Sequence, residues 1–309
     1  MDLKSLRAMR TSDFSKIAQE FEKTVNPEAS KESYKDDRFW KLERDKAGNA
    51  SATIRFLPRT EGDELPWVKI FSHGFQGPGG RWYIENSLTT IGQVDPVSEL
   101  NTKLWNSTTD DNSPARKQAR AQKRKLSYIA NILVIYDPKH PENNGKVMLF
   151  KFGKKIFDMI MDKARPTFED EKPVNVFDYW EGANFKVRMK TVDRFPNYDS
   201  STWEDVSPVA DSDEDILAIA KQQHKLSEFT DPKSFKSYDE LKAKLEQVLN
   251  GAAPAKTAAQ LADEDDIPVA KPKAPPAKPA PAPAKSKAAK VDDDDEDALS
   301  YFQSIADED

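Results

Sequence analysis

Cysteine is absent from the 309-residue chain, which excludes disulfide frameworks, thiol nucleophiles and Cys-based zinc sites together. Histidine is almost as scarce: His73, His140 and His224 are its only copies, too few for a His-rich metal centre. The longest apolar run, Ile132 to Tyr136, falls far short of the ~20 residues that a spanning helix needs, and no signal-peptide pattern precedes the core. A soluble, cytoplasmic protein is the expectation. Catalytic motifs are missing too. Gly77-Pro78-Gly79-Gly80 reads as a hairpin turn rather than a phosphate cradle. His73 has no nucleophile elbow beside it, and the plentiful carboxylates show no two-metal spacing. The chain reads as non-enzymatic.

What is present in excess is charge, unevenly placed. The net charge is −6, and Asp, Glu, Lys and Arg make up 32% of the chain. Residues 291–309 carry nine acids and no base, which leaves +3 for residues 1–290. Within those, residues 116–155 hold eleven Lys and Arg against Asp137 and Glu142. A polyanion-binding body with an acidic tail accounts for that segregation better than a uniformly acidic enzyme does.

Residues 271–290 contain only Lys, Pro, Ala and one Ser. Such a segment lacks the apolar side chains to offset its ordering entropy and reads as an extended linker, so no fold is assigned past about Gly251. Short aromatic and β-branched segments at 51–57, 67–71, 81–86, 127–136, 146–152 and 184–192, punctuated by Gly, Pro, Asn and Asp, read as strands. Helices are expected around Ile156 to Met161 and from Asp213 behind Ser212. A third begins at Ser237, which with Glu240 makes a capping box ahead of Leu241, Leu245 and Val248. Near the N-terminus Phe14, Ile17, Ala18 and Phe21 recur at helical spacing. The expected fold is α+β, mainly β. Its core is a five-stranded Greek-key barrel of the oligonucleotide/oligosaccharide-binding (OB) type, with peripheral helices and a disordered C-terminal tail.

Two basic sets stand out. Arg116, Lys117, Arg120, Lys123, Arg124 and Lys125 run directly into an apolar strand, as a mobile basic loop tethered to a rigid element. A single charge run is ordinarily a solvated face, but this one lacks interspersed acids, and phosphates need many fixed cations. In the second set Lys186, Arg188 and Lys190 alternate with Phe185, Val187 and Met189. Strand alternation puts the three cations on one face as an electrostatic rail, although an ordinary amphipathic strand explains the pattern nearly as well. Single-strand binding also needs aromatic platforms for unstacked bases. Trp105, Tyr128, Phe150, Phe195 and Tyr198 are the candidates. Any one of them alone is better explained as a core side chain; their position beside both basic sets is what favours stacking.

The strings WKLERDKAGNASATIRFLPR, HGF followed by GRWYIEN, KRKLSYIANILVIYDPKHPENNGKV, FKFGKKIFDMI, YWEGANFKVRMK and FPNYD occur in that order. Together they resemble the T-even-like bacteriophage single-stranded DNA-binding proteins, from about Trp40 to Asn250. The resemblance implies a basic N-terminal segment that contacts the neighbouring protomer (residues 1–24, with Lys4, Arg7 and Arg10), an OB-type single-stranded DNA-binding core with flanking helices (25–250), a disordered linker (251–290) and an acidic partner-binding tip (291–309). It also places Arg55 in the binding cleft with Trp105, Tyr128, Phe150, Phe195 and Tyr198; Trp105 and Phe150 stand where relatives carry Tyr. The KRK stretch resembles the family's basic-plus-Ser/Thr motif, with Leu126 interposed before Ser127.

Two departures accompany the resemblance. The family's structural zinc is held by one His and three Cys. Here His73 matches the histidine, but Ser87 stands at the first Cys, and residues around Asp95 to Ser98 replace the others. The zinc is expected to be lost and no cofactor is expected. At the N-terminus the bases are spread out rather than contiguous. The implied function is cooperative, sequence-tolerant coating of single strands in phage DNA replication, recombination and repair, in the cytoplasm of the infected bacterium and without catalysis. Phage replication and recombination proteins would dock on the tip through Asp292, Asp293, Asp294, Asp295, Glu296 and Asp297, with Leu299, Tyr301, Phe302 and Ile305 for grip. The alternatives are an RNA-binding regulator and a non-catalytic adaptor whose basic loop docks an acidic protein.

Overall fold

The computed structural model describes residues 36–192 and 195–251. The N-terminal helix expected from Phe14 to Phe21, the protomer-contact bases Lys4, Arg7 and Arg10, the linker and the acidic tip all lie outside the described residues.

Among the described residues nine strands form one hydrogen-bonded sheet. They are β1 (Phe39–Trp40), β2 (Ala50–Phe56), β3 (Trp67–Gln76), β4 (Trp82–Asn86), β5 (Lys125–Tyr136), β6 (Val147–Phe152), β7 (Ala183–Val192), β8 (Phe195–Asn197) and β9 (Thr202–Val206). Five helices accompany them: α1 (Pro96–Asn106), α2 (Pro114–Ala121), α3 (Lys154–Ala164), α4 (Asp213–Lys221) and α5 (Tyr238–Leu249). The fold is α+β and mainly β. The ladder stays open, running from β1 and β6 through β5 and β2 to β7 and β8, with β3–β4 attached to β5 and β9 to β7.

The longest strand organises the rest. β5 shares one edge between β3, opposite residues 125–130, and β2, opposite 132–136, while β6 pairs along 128–133. Seven consecutive β5 residues, Tyr128 to Val134, are buried, because both of its faces are covered. Tyr128, Ala130, Ile132 and Val134 point into the main core, where the Phe56 ring meets Phe150, Phe152, Phe177, Phe185 and Trp203. On the opposite face Ile129 packs with Ile70, Leu149 and Leu226. There Asn131 also exchanges two 2.8 Å hydrogen bonds with the backbone of His224, fixing the segment after α4.

A second core joins Phe75, Tyr83, Leu88 and Val97 to Leu241, Leu245 and Val248 of α5. The capping box expected at Ser237 and Glu240 starts that helix. The hairpin passes so close to the helix end that a Cβ on Gly77 would collide with the Val248 carbonyl oxygen, a position only glycine fits.

The basic stretch departs from expectation. It is an ordered helix, α2, rather than a mobile loop: Ser113 caps it by accepting from the Arg116 N–H, and Pro114 occupies its first turn. α1 begins the same way, with Asp95 accepting from the Val97 and Ser98 N–H groups and Pro96 following it.

Candidate nucleic-acid interface

Strand β7 sets out one cationic row. Phe185, Val187 and Met189 are buried, and Lys186, Arg188 and Lys190 take the other face, Arg188 and Lys190 exposed. Lys186 Nζ lies 2.7 Å from Glu204 Oε1 on β9, a contact that draws the Glu204 carboxyl below its usual range. The row continues into β8, where Phe195 pairs with Val192 and is 59% exposed. Tyr198, from the same turn, is half-buried and packs against the main core. Beside it Asp199 receives Lys155 Nζ at 2.9 Å, linking this turn to the start of α3.

The α1–α2 hairpin sets out the second cationic group. Arg116 donates from Nε to the Thr108 carbonyl at 2.9 Å, and its Cζ stands 4.3 Å from the centre of the Trp105 ring. Arg120 donates to the Asp111 carbonyl at 2.6 Å and lies 5.4 Å from the same ring. Both arginines also reach the carboxylate of Asp111, which precedes the basic run in sequence. Lys117 is exposed, and Lys123 and Arg124 are half-buried at the turn into β5. Arg124 covers the Phe71 ring at 4.4 Å, and Lys125 opens β5 opposite Ser72. Trp105 therefore carries guanidinium groups on its ring, so its platform serves cations in this structure.

Three residues expected in the cleft lie in the interior instead. Arg55 has no exposed surface. Its guanidinium donates to the Asp178 and Ser207 carbonyls at 2.9 and 2.8 Å and contacts Asn184 Oδ1 at 3.4 Å. Desolvation lowers its pKa, and a Cβ on Gly182 would collide with it. Arg55 thus ties β2 to the chain on either side of the β7–β9 pair and presents no charge to solvent. Phe150 is 6% exposed, edge-on to Trp40. Tyr128 is 5% exposed and stacks on Phe157 of α3, with ring centres 4.0 Å apart and planes within 3°. Phe157, which covers that ring, belongs to a helix whose apolar face the sequence does reveal.

Where the resemblance implies zinc, the residues present do not fit one. Asp95 Oδ1 accepts from the Val97 and Ser98 N–H groups at 3.0 Å, and Oδ2 accepts from Leu88 N–H at 3.2 Å. His73 donates from Nδ1 to the Gln122 carbonyl at 2.8 Å and turns Nε2 toward Asp95 at 3.3 Å. Ser87 caps the short helix at Leu88–Ile91. His73 Nε2 has no hydrogen bond, but the Asp95 and Ser87 oxygens are committed to backbone N–H groups, which leaves no tetrahedral set, and no group of three His, Cys, Asp or Glu among the described residues could hold a metal ion. Burial pushes the Asp95 carboxyl up, but the facing His73 ring, the Ser98 N–H and the Ser87 hydroxyl outweigh it and bring the pKa down to about 2. Asn101 donates to the same Gln122 carbonyl at 3.2 Å. The cluster therefore anchors the point where α2 turns into β5. No helix among the described residues is long and apolar enough to cross a membrane.

Sequence comparison sets the chain beside known proteins. A family model described as "gp32 DNA binding protein like" matches residues 48–249. The single-stranded DNA-binding protein of Enterobacteria phage T2 is 42% identical over 247 residues, covering 76% of this chain and 79% of the relative. That of Enterobacteria phage T4 is 41% identical over the same length and coverage. The single-stranded DNA-binding protein of Enterobacteria phage RB70 is 41% identical over 100 residues, 31% of this chain and 79% of the relative.

Proposed function

The chain belongs to the gp32-like family of DNA-binding proteins, and from that membership we propose a mechanism for how it binds single-stranded DNA without catalysis. The observation that carries the reading is the outward row of Lys186, Arg188 and Lys190, continued by the exposed Phe195 ring. Phosphates of the strand lie along the row while an unstacked base rests on Phe195. The α2 cations Arg116, Lys117 and Arg120, followed by Lys123, Arg124 and Lys125, hold further phosphates. Arg55, Phe150 and Tyr128 support the interface from within: Arg55 by fixing β2 to the β7–β9 pair, the two rings by packing the core behind it. Because backbone charge and base faces are common to all sequences, binding of this kind is sequence-tolerant.

The open sheet is read as a variant of the OB architecture, with β5 in the role of a long strand shared between two halves. Residues 25–250 form the binding core, residues 1–24 make cooperative contacts with the next protomer, and residues 251–290 tether the acidic tip at 291–309. That tip recruits phage replication and recombination proteins. The setting is the cytoplasm of an infected bacterium, where such coating serves replication, recombination and repair.

Fluorescence anisotropy of labelled oligothymidylate, beside a duplex of equal length, tests the reading. If about four phosphates are neutralised, the log–log salt slope is near −3 at about −0.7 per phosphate, and each further one steepens it by the same amount. Single strands bind more tightly than duplex at every salt concentration. Equal affinity for the two forms refutes the mechanism.

A further inference from the structure

Two guanidinium groups of the α1–α2 hairpin converge on one exposed carboxylate. Arg116 Nη1 lies 2.6 Å and Arg120 Nη2 3.1 Å from the same oxygen, Asp111 Oδ1. Neither guanidinium depends on that oxygen for its placement. Each has a backbone carbonyl of its own, Thr108 for Arg116 and Asp111 for Arg120, and both rest on the Trp105 ring. The carboxylate is the exchangeable partner. Its side chain is 66% exposed, and ion pairs open to water are weak. The Arg116 hydrogen bond holds the Asp111 carboxyl below its usual range, so it is ionised at neutral pH. A phosphodiester carries the same charge on two free oxygens, matched to the fork geometry of paired arginines.

The geometry points to Asp111 as a resident counter-anion: its carboxylate occupies the place of one backbone phosphate between Arg116 and Arg120, and single-stranded DNA binds there by exchange. This inference rests on the reading of α2 as part of the strand-binding surface. Two things follow from it. The unliganded arm does not present two uncompensated guanidinium groups to every passing polyanion. Asp111 also lowers affinity for the strand, because its contact must be broken first.

The test uses the full chain and labelled oligothymidylate. Asp111→Asn keeps the shape and removes the charge. Its affinity rises about two- to fivefold at low salt, the scale of one exposed pair, and the gain shrinks as added salt screens the charge. Unchanged affinity at every salt concentration overturns the exchange. Weaker binding also overturns it, and makes Asp111 a support for the arginines instead. The double variant Arg116→Gln/Arg120→Gln tells the two failures apart. If it binds weakly while Asp111→Asn binds as wild type, the exchange is wrong and the interface stands. If it binds as wild type, the arm is outside the interface and the underlying reading falls with the inference. Unfolding midpoints of all variants, matched to wild type, confirm that binding alone has changed.

Discussion

Tyr128 and Phe195 occupy similar places in the sequence, each an aromatic close behind a cationic set, and the fold sends them in opposite directions. Tyr128 is 5% exposed beneath Phe157, whereas Phe195 is 59% exposed at the end of the β7 row. Phe195→Ala therefore weakens single-strand binding by about 1–3 kcal/mol, the value of one stacked base, and leaves stability unchanged. Tyr128→Ala opens a cavity under α3 and lowers stability by about 3–5 kcal/mol. Urea unfolding and anisotropy on both variants check the contrast, and a Phe195 variant that unfolds early but binds normally contradicts it. Period-two alternation identifies a side chain's face only when one face meets solvent. That condition holds for β7, so Lys186, Arg188 and Lys190 were legible. It fails for β5, covered on both sides, and for Arg55, which alternation alone would turn outward but which the 178–182 and 207 segments enclose.

Helix signals at the level of elements were partly legible. The Ser237–Glu240 capping box and the Ile156–Met161 stripe carry their own local evidence, and both helices form as expected. α1 and α2 were missed, although Asp95-Pro96 and Ser113-Pro114 each pair an N-cap residue with proline in the first helical turn. The short strands β8 and β9 carry little signal of their own, since β7 supplies their pairing. The Asp95 cluster ties β3 to α1 and to the residue that ends α2, and its electrostatics give a pH dependence. Folding lowers the Asp95 carboxyl from 3.8 to about 2. A depressed carboxylate stabilises the fold above its unfolded pKa, and that stability drains away as pH falls toward the folded value. The contribution is about 2 kcal/mol at neutral pH and is lost between about pH 4 and pH 2. Asp95→Asn is less stable than wild type at neutral pH, and the gap narrows across that acid window. A gap constant from pH 6 to pH 2 means that the carboxylate's charge does not hold the cluster together.

Across the whole molecule, topology and charge were legible to different degrees. No local pattern reveals that β5 divides one edge between β3 and β2, because that pairing joins residues far apart in sequence. Charge is additive and can be read directly. The binding body carries fixed cations on β7 and α2, while nine carboxylates sit in residues 291–309 of a chain whose net charge is −6. On the tail function proposed above, both belong to one chain, so the acidic residues reach the cations at an effective concentration set by chain connectivity rather than by the solution. That proposal has the tip compete with DNA for the same cations at low salt, with bound DNA leaving it available to partner proteins. Deleting 291–309 reverses the net charge to +3 and removes that competitor. The truncated chain binds oligothymidylate more tightly than the full chain at low salt, the two converge as the Debye length shrinks toward ~3 Å near 1 M, and pulldown of replication proteins is abolished. If the truncated chain binds DNA and proteins as the full chain does, the tip contributes solubility alone.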